Sequence, residues 1–322
     1  MAKILYKTIT FPFCRSSSVP QNQRLSEGKA CSIIKLRLYK NYFFSDKRVA
    51  ISLIREGCVL FRKIGKQTQK PRRIIIGDVH GSFQTLLRLL NRVAPDSEDE
   101  VYFLGDLIDR GQQSLEVVDF VIKNNYQCLL GNHEYMLLKA LTGKEVSEKW
   151  FNGWIESGGA ATLLSYNNNI PAEHINWFQS LPAYLDLGDI WLVHAGVHPE
   201  YPLEEQTNEQ FCWIRNEFHT MTQPYFKDKL IITGHTLTFT FPDVKPGQLA
   251  RSSGWLDIET GVYHPQSGWL TALDWTNQLV YQVQAQNKNC RTIPLEKAVV
   301  NLDIDQISRY SSRESSSKAL NL

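Results

Sequence analysis

The stretch Ile74-Ile75-Ile76-Gly77-Asp78-Val79-His80-Gly81-Ser82 decides the fold. Three consecutive isoleucines read as a short strand of the buried type. Gly77 and Gly81 let the backbone turn sharply and come close to a ligand. Ser82 is a candidate N-cap for the helix that follows. In that helix Phe83, Leu86, Leu87, Leu90 and Val93 fall at helical spacing, and Pro95 marks the stop.

The plan repeats outward from there. Val101–Leu104 reads as a second strand, Gly105 to Gly111 as its loop, and Leu115, Val118, Val121 and Ile122 as a helix face. Cys128–Leu130 reads as a third strand, followed by Gly131-Asn132-His133-Glu134 and a helix through Met136, Leu137 and Leu141. Strand-loop-helix repeated three times indicates an α/β core. Residues 144–182 read as helical, with Trp150, Trp154, Trp177 and Phe178 as packing residues. Beyond them strands dominate: Ile190–Val193, Leu230–Thr233, Trp255–Ile258, Leu270–Leu273 and Leu279–Val283. An alternating first half and a mostly β second half are both satisfied by an α/β (α+β) fold of two packed β-sheets flanked by helices.

Chemistry-bearing residues recur in one setting, just after a strand and beside glycine. Asp78 and His80 follow the first strand, Asp106, Asp109 and Arg110 the second, Asn132 and His133 the third. His194 precedes Ala195-Gly196, and His235 follows Gly234. Loops at the carboxyl ends of sheet strands are where α/β folds place ligands. Three Asp, four His and an Asn in one pocket need compensating positive charge, which two divalent metals supply. Mixed carboxylate and imidazole ligation suits Mn, Fe or Zn better than Mg or Ca.

In order, G-D-V-H-G, G-D-L-I-D-R-G, G-N-H-E, H-A-G and G-H-T run from Gly77 to Thr236. This series resembles the phosphoprotein phosphatase family of calcineurin-like metallophosphoesterases, over roughly Arg73 to Val283. The bacterial and phage-type serine/threonine phosphatases are the nearest branch. The resemblance implies a four-layer metallophosphoesterase sandwich. It implies that Asp78 and His80 hold one metal, that Asp106 bridges, and that Asn132, His194 and His235 hold the second. It makes His133 the general acid, oriented by Asp109, and Arg110 a phosphate grip. Arg215, in Trp213-Ile214-Arg215, is similar to a second phosphate arginine. Water activated by the two metals, manganese first among them, then attacks phosphorus directly. Glu134 is expected to buttress its loop rather than bind metal.

The leading substrate expectation is a phosphoserine or phosphothreonine protein, with phosphotyrosine as an extension. The alternative is a symmetrical diadenosine tetraphosphate hydrolase or another small-molecule phosphohydrolase. A non-catalytic binding module is the reading from another class, and it needs a lost ligand or acid, whereas every motif position is present. Eukaryotic relatives carry S-A-P-N-Y-C near the end of the core. Arg251-Ser252-Ser253-Gly254-Trp255-Leu256-Asp257 stands in the corresponding region here. That departure argues against a holoenzyme with regulatory subunits.

Composition bounds the rest. With 43% hydrophobic and 21% charged residues, the chain reads as a soluble globular protein. No apolar run approaches the ~20 residues of a membrane span. The net charge of +2 hides an asymmetry. Residues 1–70 contain 15 Lys and Arg against Glu27, Asp46 and Glu56, so the remainder is acidic. A uniform basic surface for nucleic acid is therefore the wrong inference from the overall charge. This basic, Ser-containing segment fits a transit peptide, a basic arm or an upstream stretch, and is expected to take no part in chemistry. The catalytic domain is expected over 71–285. Residues 286–322 are expected to hold a strand remnant and a disordered Ser-rich tail. Cysteines 14, 31, 58, 128, 212 and 290 form no C-x-x-C pair, so reduced thiols and a cytoplasmic location are expected. His174, His198, His219 and His264 lie outside the motifs and read as surface or packing residues. His198 is near enough to His194 to reach the pocket mouth.

Overall fold

The computed structural model describes residues 71–142 and 147–308. The basic segment 1–70 and the serine-rich end of the tail, 309–322, lie outside the described residues.

Twelve strands among the described residues form two six-stranded sheets. They are β1 (Arg73–Ile76), β2 (Glu100–Phe103), β3 (Gln127–Cys128), β4 (Tyr184–Asp186), β5 (Ile190–Val193) and β6 (Leu230–Thr233). They continue with β7 (Leu249–Ser252), β8 (Trp255–Asp257), β9 (Trp269–Asp274), β10 (Leu279–Gln284), β11 (Cys290–Pro294) and β12 (Val299–Asn301). The first sheet runs β11-β10-β9-β1-β2-β3 and the second β12-β7-β8-β6-β5-β4. Strands β1, β2 and β3 are parallel to one another, as are β5, β6 and β8. The remaining pairs are antiparallel except β12 with β7.

The isoleucine run explains the layering. Side chains alternate across a strand, so Ile75 enters the apolar layer between the sheets with Leu192, Ile232, Leu256 and Leu273. Ile74 and Ile76 face the other way, under the helices α1 (Phe83–Val93), α2 (Ser114–Lys123) and α3 (Asn132–Leu141). The second sheet repeats the alternation. Ile190 and Leu192 face inward, while Trp191 and Val193 pack outward with Phe211, Phe218, Phe241 and Trp255. A strand with neighbours on both faces needs apolar residues at every position. The expected four-layer sandwich of two sheets flanked by helices is what forms.

Details differ from the expectations for local reasons. Ser82 makes no side-chain cap to α1; its hydroxyl donates instead to the His80 carbonyl at 3.3 Å. The helix ends one residue before Pro95, at Ala94, which turns left-handed (φ 47°) with its N–H on the Leu90 carbonyl at 2.7 Å. Of the segment expected as helical, 144–146 lie outside the described residues and the rest breaks into α4 (Glu148–Trp154), a π-turn over Ile155–Gly159, α5 (Ala160–Ser165) and α6 (Ala172–Ser180). The outer face of the second sheet carries α7 (Asn208–Trp213) and α8 (Asn216–His219). The sheets also continue past residue 285. There β11 pairs with β10, α9 (Leu295–Ala298) follows, and β12 pairs with β7. What was expected as a strand remnant therefore supplies one edge strand to each sheet. Among the described residues no helix is long and apolar enough to cross a membrane.

Candidate metal centre

The parallel strands of both sheets deliver their loops to one place. Asp78 follows β1, Asp106 follows β2, Asn132 opens α3 after β3, His194 follows β5 and His235 follows β6. Contacts join the sheets directly. The His194 Nδ1–H donates to the Leu104 carbonyl at 2.8 Å, and the His235 backbone N–H points at the Asp78 carboxylate oxygens at 3.3 and 3.2 Å.

Asp106 sits at the centre. Its Oδ1 accepts from the His133 backbone N–H at 3.0 Å and lies 3.5 Å from His194 Nε2. Its Oδ2 lies 3.6 Å from His80 Nε2 and 3.8 Å from His133 Nε2. Burial opposes its ionisation, but His194, His133 and His80 outweigh that and hold its carboxyl well below the usual range. Asp78 shows the opposite balance. Burial first, then Glu259 and Asp106, push it well above the usual carboxylate range. Two buried carboxylates this close ionise together only beside added positive charge.

The loop after β2 is conformationally costly. Asp106, Asp109 and Arg110 all have positive φ (49°, 71° and 66°), which side-chain-bearing residues adopt only where surroundings over-determine them. Glu134 supplies part of that constraint. Its carboxylate accepts from the backbone N–H of Asp106 at 2.9 Å, Gly131 at 3.2 Å and Leu107 at 2.8 Å. Gly131 must lack a side chain, because a Cβ there would lie 2.2 Å from Asp106 Oδ1.

The donor set fits divalent metal on the chemistry of its lone pairs. Carbonyl acceptors fix His80 and His194 with hydrogen on Nδ1, because His80 Nδ1 lies 3.0 Å from the Ile108 carbonyl. Each Nε2 then turns a lone pair inward. His194 Nε2 and His235 Nδ1 both lie 2.9 Å from Asn132 Oδ1. His235 Nε2 is buried and has no hydrogen-bond partner among the described residues. Burial pushes all three imidazoles down, Arg110 adding at His80 and Arg215 at His235, which favours their neutral, ligating form. His80–Asp106–His133 and Asp106–His194–His235 form two clusters that share Asp106. The first differs from the expected set by containing His133 rather than Asp78. Asp78 Oδ2 stands 3.9 Å from His80 Nε2. Arg110 Nη1 donates to the His80 Nε2 lone pair at 2.6 Å, so a cation there competes with that contact.

His133 has different surroundings. Its Nδ1–H donates to Asp109 Oδ2 at 2.6 Å. Asp109 is itself caged: Trp154 Nε1 donates at 2.9 Å, and the Thr162 hydroxyl at 2.6 Å. Burial lowers the His133 pKa, but Asp106 and Asp109 outweigh it and the net direction is upward. A histidine raised in this way can hold a proton nearer to neutral pH.

Arg110 and Arg215 line one cleft with Asp106, Asn132, His235, Leu237, Thr240 and Tyr263. Arg110 Cζ lies over the Tyr263 ring, 4.0 Å from its centroid. Gly158 of the π-turn receives the Arg110 backbone N–H at 3.2 Å, and a Cβ there would meet Arg110 Cγ at 2.8 Å. Arg215 donates through Nη1 to Thr236 Oγ1 at 3.0 Å.

All ten residues singled out in the sequence thus come together. Those missed are Glu259, Tyr263, Trp154 and Thr162. Glu259 follows β8 two residues before a glycine, the same signal as the others, just past the Arg251–Asp257 window. Tyr263 has no local signal. His198 is not on the cleft wall; it stacks on Tyr201 at 4.0 Å in a separate groove. His174 and His219 are buried. Cys128, Cys212 and Cys290 are free thiols.

The calcineurin-like phosphoesterase family model matches residues 71–239. A symmetrical bis(5'-nucleosyl)-tetraphosphatase of Actinobacillus pleuropneumoniae serotype 5b is 36% identical over 137 residues, 41% of this chain and 47% of that protein. One from Vibrio campbellii is 30% identical over 193 residues, 52% of this chain and 68% of that protein. The chain thus spans about half the length of the first of these relatives. Among solved structures, a metallophosphoesterase from Sphaerobacter thermophilus is similar at 19% identity and a TM-score of 0.43, covering 64% of this chain and 84% of that one. A serine/threonine phosphatase from Saccharomyces cerevisiae is similar at 18% identity and a TM-score of 0.40, covering 71% and 81%.

Proposed function

Since the chain belongs to the calcineurin-like phosphoesterase family, we propose that it hydrolyses phosphoester or phosphoanhydride bonds with two divalent metal ions, and that dinucleoside polyphosphates, cleaved at an anhydride, are its substrate class. The observation that carries the reaction is the pair of clusters sharing Asp106, beside a cleft lined by Arg110 and Arg215. Bound metal supplies positive charge and acidifies water for in-line attack. Asp78 and His80 would hold one ion, Asn132, His194 and His235 the other, and Asp106 both. Manganese is the first candidate for both positions, with iron and zinc behind it.

The chain's own residues do the rest. Arg110 and Arg215 take the non-bridging phosphoryl oxygens, where two guanidinium groups offset charge that builds in the transition state. His133 delivers a proton to the leaving oxygen from Nε2, because Asp109 holds its other nitrogen. The caged Asp109 also keeps the ring from turning. An alcohol or nucleotide phosphate leaves once protonated, so neither Cys nor Ser need act as nucleophile.

Two observations support the substrate class over the phosphoprotein expectation. The two relatives compared by sequence above are named as symmetrical bis(5'-nucleosyl)-tetraphosphatases. Trp213 keeps 37% of its surface exposed, with its ring centroid 6.3 Å from that of His235. An exposed aromatic face beside the site suits a nucleobase, which stacks on such rings for ~1–3 kcal/mol. The protein-phosphatase reading rests on Gly234-His235-Thr236 and the compact catalytic core.

A substrate panel with purified full-length chain and added manganese decides between them. Diadenosine tetraphosphate should exceed phosphoserine and phosphothreonine peptides in kcat/KM by at least about tenfold, a difference of ~1.4 kcal/mol in transition-state binding. The reverse ranking would return the assignment to phosphoproteins. No turnover of any member, p-nitrophenyl phosphate included, would sink the hydrolase itself.

A further inference from the structure

Glu259 lies where the chain passes from β8 of the second sheet to β9 of the first. Its residue is only 2% exposed, and each of its polar groups is engaged. Its backbone N–H donates to Asp257 Oδ1 at 2.9 Å, and its carbonyl accepts from the Thr238 N–H at 2.9 Å. Oε1 accepts from the Gly261 N–H at 2.7 Å, and Oε2 from the Asp78 N–H at 3.1 Å.

These bonds tie two separate loops. Thr238 is three residues past His235, so the Glu259 carbonyl holds the loop after β6. Its carboxylate holds the loop after β1, which belongs to the other sheet. Glu134 stands in the same relation to Asp106, whose N–H it accepts at 2.9 Å. Each central aspartate is thus held by its backbone N–H on a buried glutamate.

We propose that Glu259 is a positioning residue that sets Asp78 against the His235 loop and so governs metal binding at the Asp78–His80 position separately from the position at Asn132, His194 and His235. The inference rests on the two-metal reading above. A carboxylate is required because both partners, the Asp78 and Gly261 N–H groups, are donors. The amide of glutamine would turn its NH2 toward one of them, leaving that donor unpaired.

The test is stepwise manganese binding by isothermal titration calorimetry on chelator-stripped full-length chain, with circular dichroism and the metal-free Tm recorded beside it. Wild type should bind two manganese ions. Glu259→Gln should lose about tenfold or more in affinity at one step, the scale of supporting residues around metal ligands. The other step should change by about threefold at most, because the Glu259 carboxylate bonds only the Asp78 and Gly261 N–H groups and none of that position's own ligands. Glu134→Gln, acting on the shared Asp106, should weaken both steps. A merely structural Glu259 lowers the metal-free Tm without separating the two affinities. Unchanged affinities in folded Glu259→Gln, or equal loss at both steps, overturn the proposal. If Glu259→Gln fails to fold, Glu259→Asp keeps both acceptors but falls short of Asp78, and the same selective loss is expected. A wild-type chain that binds fewer than two ions refutes the two-metal reading itself, and this inference with it.

Discussion

At the scale of single residues, His133 separates metal binding from turnover. Its Nδ1 is committed to Asp109 at 2.6 Å, while its backbone N–H, not its ring, supports Asp106. His133→Asn keeps that backbone donor. It should therefore keep two bound metals while kcat falls by ~10²–10⁴-fold, the usual worth of a positioned acid. Metal content by mass spectrometry and kcat on the same preparation check this, and full activity in the variant would remove His133 from the mechanism. Residues of this kind were legible in the sequence because their signal is local, a polar side chain between a strand and a glycine. Trp154 was legible only as packing. Its indole N–H reaches Asp109 across 45 residues of sequence, and nothing near Trp154 announces that contact. Tyr263 is similar, since its place under Arg110 is set by how the loop after β8 folds back.

At the scale of elements, most central strands and the edge strand β3 were readable, while β7 inside the second sheet and the edge strands β4 and β12 were not. Strands β1, β5 and β6 are apolar at nearly every position because both faces are covered. β4, β11 and β12, of which only a strand remnant past residue 285 was expected, lie at sheet edges and are half exposed. Their short mixed sequences become strands because a partner is already in place, a tertiary effect that overrides propensity. The outer elements carry a pH consequence. His219 ends α8, buried among Phe218, Phe241 and Trp255, with its Nε2 3.8 Å from Asp257 Oδ2. Burial first, then Arg215, push its pKa down to about 3. Burial pushes Asp257 well up, so neither group favours its charged form. The unfolded chain binds a proton at this histidine near pH 6.5, and the folded chain resists until about pH 3. Stability is therefore full above pH ~6.5 and declines toward pH 3, on the order of a few kcal/mol for this group. His219→Phe should flatten that part of the curve. Denaturant unfolding of both proteins at pH 7 and pH 4.5 measures it, and parallel losses would acquit His219.

At the scale of the whole molecule, the metal centre is where the two sheets are joined. Asp78, His80, Asp106 and Asn132 come from the first sheet, His194 and His235 from the second. The apolar layer between the sheets holds them together along their length. At the carboxyl end the facing surfaces are instead carboxylates and imidazoles. Burial pushes Glu134 and Glu259, which support the aspartates, up to about 8. A shared divalent pair held as proposed would relieve that concentration of negative charge and cross-link the layers. Ligand that binds only the folded state at a hundredfold excess over Kd adds ~2.7 kcal/mol. For a body of this size each kcal/mol shifts Tm by roughly 2–4 °C. Saturating manganese should therefore raise Tm by roughly 5–10 °C over the chelated protein, in one cooperative transition because both sheets are tied at once. Asp106→Asn weakens the one ligand common to both clusters, and it should remove most of that rise while the chelated Tm changes little or increases. Calorimetric scans of the two proteins with manganese and with chelator make the comparison. A wild-type Tm indifferent to manganese would mean that these six side chains do not bridge the sheets through metal.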